Sequence, residues 1–281
     1  MELRNEMVQI GSHRIFYRLA GSGSETVVLM HGIPTNSMLW STVIPQLASS
    51  YTVIAPDLLG FGQSGRATAQ ELTLPKQAER MIALLDQLGV RKAHFVGHDL
   101  GGGIAQIIAV RYPERVASFV VADGVCFSNW PLPHVVSLRA PIAPEFEPSP
   151  IFIERMIRGG LYHQESISPE LIHAFVAPFD HPSGPEQLQS ASFALEHHQT
   201  EELVPYLSKL NVPATFLWGQ HDRYLPPYWG MRLQQTVPNS QLRIIPQANH
   251  YSMLDNPGVF AGELLQHLQR ASTMQRTPVL V

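Results

Sequence analysis

The chain has a single cysteine, Cys126, among 281 residues. One thiol excludes an internal disulfide framework and a cysteine-based zinc site, and it suits a reducing compartment. Basic charge is scarce too: Lys and Arg total 19 against 23 Asp and Glu, a net charge of −4. No surplus is left to neutralise a phosphate backbone, so nucleic acid is not an expected partner. No stretch approaches the ~20 apolar residues of a membrane span. The opening MELRNEMVQIGSHR has no apolar core of leader length. The expectation is a cytoplasmic chain with no membrane partner. Histidine is plentiful, at 13, yet none falls in H-E-x-x-H or a similar ligand spacing, so no metal is expected.

The chain is 44% hydrophobic, enough to bury a large core. Met7–Ile10 and Arg14–Ala20 flank Gly11-Ser12 as a hairpin. Thr26–Met30 and Thr52–Ala55 are short β-branched apolar runs, the mark of strands buried on both faces. Ser37–Ala48 reads as a helix. Leu74, Ala78, Met81, Ile82, Leu85 and Leu88 keep helical spacing up to Gly89. Ala93–Val96 (strand), Leu100–Tyr112 (helix) and Ser118–Ala122 (strand) continue an alternation that implies a mostly parallel, twisted sheet with helices on both faces.

The alternation stops after Asp123. Ten of the 23 prolines fall within 126–185, which excludes long regular elements there. Short amphipathic pieces at Ile151–Arg158, Pro169–Ala177 and Glu186–Glu196 remain, with Ser168-Pro169 set as an N-cap and first helical residue. The alternation resumes at Ala214–Trp218, Pro227–Gln235, Gln241–Ile245 and Pro257–Arg270. The expected organisation is a core of 1–124 and 212–270, a helical lid of 125–211, and a loose tail of 271–281.

Chemistry concentrates where strands end. Residues 93–103, AHFVGHDLGGG, run a buried strand through Gly97-His98-Asp99-Leu100-Gly101 into a helix. That is the strand–turn–helix setting of a nucleophile elbow, with Asp99 at the nucleophile position. After the strand Thr26–Met30 comes His31-Gly32-Ile33-Pro34, where a backbone N–H at Ile33 can join that of Leu100 as an oxyanion pair. Asp222 follows one late strand and His250 the next. The order nucleophile, acid, base is that of a hydrolytic triad, and every piece lies at the carboxyl end of a strand. Gly60-Phe61-Gly62-Gln63-Ser64-Gly65 matches G-x-G-x-x-G, but no helix opens there, so no dinucleotide or other cofactor is expected.

The blocks HGIPTNSMLW, APDLLGFGQS, VGHDLGG, WGQHDRYLP and ANHYSMLDNP resemble the α/β-hydrolase superfamily over residues 7–270. The Asp elbow resembles its branch of epoxide hydrolases and haloalkane or haloacetate dehalogenases. The resemblance implies that Asp99 attacks an sp3 carbon and becomes an ester, and that His250 then activates water against it. Asp222 is the first choice for orienting His250, and Asp123 the alternative. His31, Trp130 and Tyr251 are placed along the pocket. The dehalogenases hold halide with a Trp after the nucleophile and an Asn in the oxyanion loop, or carboxylate with an Arg after the nucleophile. Here those positions are Leu100 and Ile33, which donate no side-chain hydrogen bond. Epoxide hydrolases place a pair of Tyr acids in the lid. The lid offers Tyr162, then Tyr206, with His163 or His197 as helpers. The expected activity is hydrolysis of a small, mainly apolar electrophile, an epoxide first and a carbon–halogen bond second. The partners are then a small-molecule substrate and water, whereas a lyase, cyclase or ligand receptor would use the same pocket without hydrolysis. The sequence leaves the oligomeric state open.

Overall fold

The computed structural model describes residues 2–141 and 149–276. Its eight strands are β1 (Leu3–Ile10), β2 (His13–Ala20), β3 (Thr26–Met30), β4 (Thr52–Pro56), β5 (Ala93–His98), β6 (Val116–Ala122), β7 (Ala214–Gly219) and β8 (Ser240–Ile245). They form one sheet in the order β1-β2-β4-β3-β5-β6-β7-β8. β1 and β2 pair antiparallel through the Gly11-Ser12 turn, β2 pairs antiparallel with β4, and every pair from β4 to β8 is parallel. The apolar runs explain the order. β3, β5, β6 and β7 are buried along their whole length and occupy the middle. β1 is mostly exposed and carries Arg4 and Glu6, charges that discourage edge-to-edge pairing.

The helix Leu100–Arg111 is buried on nearly every side and packs on β5 and β6. The amphipathic helix Leu74–Gln87 covers it. Pro257–Arg276 packs against β6, β7 and β8. This last helix corrects the expected loose tail: residues 271–276 are helical and Ala271 and Ser272 are buried, with Ser272 Oγ bonded to Glu25. Residues 277–281 lie outside the described residues. Ser37–Ala48 is also not one helix. It divides into a 3₁₀ turn, Ser37–Trp40, and a short helix, Ile44–Leu47, with Pro45 fitting the first turn of the second piece. The G-x-G-x-x-G stretch is a turn, with φ of 88° at Gly60 and 54° at Gly62.

Between β6 and β7 the chain leaves the sheet and forms helices at Pro133–Ser137, Ser149–Gly159, Pro169–Val176, Gly184–Phe193, His198–Glu201 and Val204–Leu207. Ser168 caps its helix as the sequence predicts, accepting from the Leu171 N–H at 3.2 Å. Among the described residues no helix is long and apolar enough to cross a membrane.

A polar chain is buried among β5, β6, β7 and the last helix. His94 Nδ1 meets Ser118 Oγ at 2.7 Å, Ser118 Oγ meets His267 Nε2 at 2.8 Å, and His267 Nδ1 meets Thr215 Oγ1 at 2.8 Å. Burial holds His94 down to about 4. Burial, with the nearby Arg270 charge and His94, holds His267 down to about 3. In the unfolded chain both titrate near ~6.5. As pH falls below that value the unfolded state therefore takes up protons first, and stability is lost. By pH 4 the loss is expected to be about 3 kcal/mol from each histidine. The urea midpoint should fall between pH 6.5 and 4, and His267→Gln should flatten that fall. A midpoint that is flat in the unsubstituted protein rejects the account.

Candidate active site

The elbow takes its shape from its glycines. A Cβ on Gly97 would lie 1.9 Å from the Gly101 carbonyl oxygen, and one on Gly101 would lie 2.3 Å from the Met30 oxygen. The strand and helix can touch only with hydrogen at these positions. Asp99 sits between them with φ 51° and ψ −115°, a strained conformation for a residue with a side chain. That strain lifts the carboxylate to the end of β5, where the loops after β3, β7 and β8 meet it.

Asp99 Oδ1 accepts the Ile33 N–H at 3.0 Å, and the Leu100 N–H also bonds the carboxylate. Both N–H groups expected of an oxyanion pair thus face the Asp99 carboxylate, that of Ile33 on Oδ1. Oδ2 faces His250 Nε2 at 3.9 Å. His250 Nδ1 meets Asp222 Oδ2 at 3.1 Å. Asp222 is fixed by its other oxygen, which accepts the Tyr224 and Leu225 N–H groups at 2.9 Å each. The structure therefore brings Asp99, His250 and Asp222 together, all buried.

Asp123, the alternative acid, is differently engaged. Its Oδ1 accepts the Gly219 N–H at 2.6 Å and its Oδ2 accepts from Ser252 Oγ. It fastens the end of β6 to β7 and to the loop after β8, and its bonds to these two groups keep it off the imidazole. Burial, then the Asp222 charge, pushes its carboxyl well above the usual range.

Burial alone would lower His250, but the charge and hydrogen bond of Asp222 and the charges of Asp99 and Asp123 raise it to about 9. At neutral pH this favours the imidazolium form of the ring. Burial pushes Asp99 up from the ordinary carboxylate value, while His250 and the Leu100 and Ile33 N–H groups pull it back.

A pocket opens over Asp99. Its floor is Ile33, Leu100, Val125 and His250, its wall Tyr224, Leu225 and Tyr251, and its roof Trp130, Pro131, Leu132, His134, Val135, Met156 and Leu195. No lysine or arginine is among these residues. Trp130 is among the residues lining the pocket, and its indole N–H is given to Thr200 Oγ1 at 2.7 Å. Tyr251 also lines it. His31 does not: its Nε2 accepts the Leu58 N–H at 2.9 Å and its Nδ1 meets the Gly32 oxygen at 2.9 Å. Both nitrogens are engaged in bracing the oxyanion loop, and burial lowers the ring. Tyr162 is also outside the pocket. Its ring stacks on His221 with centroids 5.0 Å apart and meets His163 edge-on. Its N–H bonds Asp255 Oδ1 at 2.9 Å. Tyr206 is exposed.

The sequence reading missed Tyr224, His134 and Asn249. Tyr224 stands two residues after Asp222 and its ring meets His250 edge-on at 5.2 Å. Its hydroxyl donates to the Met156 carbonyl at 2.7 Å. Asn249 Oδ1 accepts the N–H groups of Arg223 and His250, and its Nδ2 donates to the Gly159 and Leu161 carbonyls. The Tyr251 N–H donates to the Gly160 carbonyl at 3.2 Å. The end of the roof helix Ser149–Gly159 is thereby sewn to the loops of the acid and the base.

The pattern of the family described as alpha/beta hydrolase fold matches residues 25–146 and 151–257. An uncharacterised hydrolase of Bacillus subtilis (strain 168) is 29% identical over 88% of this chain and 91% of its own. The 2-hydroxy-6-oxo-6-phenylhexa-2,4-dienoate hydrolase of Burkholderia cepacia is 27% identical over 89% of this chain and 90% of its own. The structure of an enzyme of that same activity from Rhodococcus sp. strain RHA1 superposes with a TM-score of 0.83 at 22% identity, over 95% of this chain and 99% of that one.

Proposed function

The chain belongs to the alpha/beta hydrolase fold family, and from that premise we propose that it hydrolyses a small, mainly apolar electrophile through an ester on Asp99, with an epoxide as the substrate. The placement of the Asp99 oxygens carries this reading. Oδ1 accepts the Ile33 N–H, the Leu100 N–H also bonds the carboxylate, and Oδ2 is turned to His250 at the pocket that Asp99 lines. A carboxylate needs no base to displace a leaving group at sp3 carbon, and Oδ2 is the oxygen free to do so. The ester carbonyl then already lies in the oxyanion site.

His250 acts in the second half. Forming the ester removes the negative charge of Asp99, one of the groups that hold the imidazole near 9. The loss lowers its affinity for the proton and readies it as a base. Neutral His250, oriented by Asp222, takes a proton from water, and hydroxide adds to Cγ of Asp99. The charge develops on Oδ1, against the two N–H groups.

The donor set favours an epoxide over a halide. Displaced halide needs N–H donors, yet the Trp130 N–H is bound to Thr200 and those of Ile33 and Leu100 are bound to Asp99. The 2-hydroxy-6-oxo-dienoates named for the relatives carry a carboxylate, and no lysine or arginine lines this pocket to pair with one. Attack by Asp99 on an acyl carbon would also give an anhydride rather than a productive ester.

The test is a single turnover in H₂¹⁸O with enzyme in excess of an epoxide, run beside a haloalkane with diol and halide measured in parallel. The first product is expected to contain no ¹⁸O and the peptide holding Asp99 to gain it. Label in the first product rejects the ester.

A further inference from the structure

An opening epoxide leaves its oxygen as an alkoxide in a dry pocket, and that oxygen needs a donor. The lid phenols that sequence order suggests are not there: Tyr162 stacks outside the pocket and Tyr206 is exposed. The core supplies phenols instead. Tyr224 and Tyr251, from the loops of the acid and the base, form the wall beside Asp99. The Tyr224 hydroxyl is committed to the Met156 carbonyl. The Tyr251 hydroxyl has no hydrogen-bond partner among the described residues, although its side chain is 1% exposed. Its ring is locked against His250, with centroids 5.1 Å apart, and against His98 at 5.4 Å. Gly160 leaves the room for it, because a Cβ there would lie 2.6 Å from Cε2 of Tyr251. A rigid phenol that lines the same pocket as Asp99, with an O–H not spent on any described residue, is available to a ligand there.

We propose that Tyr251 is the catalytic acid of this site, donating its hydroxyl proton to the epoxide oxygen as Asp99 attacks. The assignment rests on the ester reading above. A lone pair of Asp99 Oδ2 forms the new C–O bond, and the epoxide C–O bond breaks onto its oxygen. That oxygen takes the proton of Tyr251, which is left as phenolate. The His250 imidazolium returns a proton to the phenolate and becomes the neutral base the second half requires. Water then gives its proton to His250, hydroxide adds to the ester, and collapse passes the hydroxyl proton to the departing diol oxygen. Asp99 carboxylate, His250 imidazolium and Tyr251 phenol are restored, and the net change is epoxide plus water to diol. Burial and the neighbouring Tyr224 and Asp99 hold the phenol far from ionisation in the resting enzyme, so the proton is in place at working pH.

Tyr251→Phe removes only the hydroxyl and keeps the ring packing. Alkylation of Asp99 is measured by rapid quench and intact mass with two probes, styrene oxide and an alkyl bromide. The bromide leaves as a weakly basic ion that needs no proton. Tyr251→Phe is expected to slow alkylation by styrene oxide ~10²-fold, the size of a general-acid contribution. Alkylation by the bromide and breakdown of a formed ester should change little. Equal slowing with both probes means Tyr251 merely shapes the pocket, and full speed with styrene oxide means another group protonates the oxygen; either result overturns the assignment. An unsubstituted enzyme whose Asp99 takes up neither probe overturns the ester reading itself, and this assignment with it.

Discussion

His250→Ala is expected to halt the enzyme after one event, with substrate held stoichiometrically on Asp99. Nothing in the first half needs the imidazole as a base, because the carboxylate is the nucleophile and is already held by the Ile33 N–H on Oδ1 and by the Leu100 N–H. The second half has no other base within reach. Asp222 lies on the far side of the removed ring, where its Oδ2 met Nδ1 and its Oδ1 is held by the Tyr224 and Leu225 N–H groups, and Asp123 is held by Gly219 and Ser252. Turnover should fall ~10⁴-fold or more, on the scale set by losing a base in a hydrolytic triad. Mass spectrometry should find the adduct on the peptide with Asp99. The variant also loses the cation that offsets the burial of Asp99. Its carboxyl is then protonated up to a higher pH, and adduct formation should speed up as pH rises. An unmodified Asp99 with a confirmed substrate, at any pH, removes covalent catalysis from this site.

The two acids should separate just as sharply. Asp222→Asn is expected to slow ester breakdown roughly 10⁴-fold, the usual cost of losing the orienting acid. An amide in that place either offers its NH₂ to His250 or withdraws an acceptor from the Tyr224 and Leu225 N–H groups, and it no longer steadies the imidazolium. Asp123→Asn keeps an acceptor for the Gly219 N–H and a donor for Ser252 Oγ, so activity should drop less than ~10-fold. Alkylation rates should be similar in both variants. Pre-steady-state rates of the two half-reactions give the ranking directly, and the reverse order would make Asp123 the partner of His250.

Much of this was legible beforehand because parallel strands carry their signal locally. Thr26–Met30, Ala93–Val96 and Ala214–Trp218 are short, mainly apolar runs, and each is buried throughout. The elbow is equally local, since Gly97 and Gly101 are required by contacts within one turn and with the adjacent strand. What failed was side-chain direction in loops, which has no period to read. His31 and Tyr251 stand alike beside proposed catalytic positions, yet one ring braces the oxyanion loop and the other faces the pocket. Tyr162 failed for a related reason. Its place is set by Asp255 and His221, residues far along the chain that turn its ring away from Asp99. The helix past Arg270 was missed because its polar run hides small buried contacts at Ala271 and Ser272.

The seam between the roof helix and the two catalytic loops has a kinetic consequence. The carbonyls of Met156, Gly159, Gly160 and Leu161 are held by the Tyr224 hydroxyl, the Asn249 amide and the Tyr251 N–H. A roof that lifts at this corner must break those bonds, and the same Asn249 side chain also holds the His250 N–H. Admission of substrate through this corner would therefore dismantle the base each time it occurred. This corner is thus a fixed jamb, and an engineered enlargement of the pocket belongs away from it.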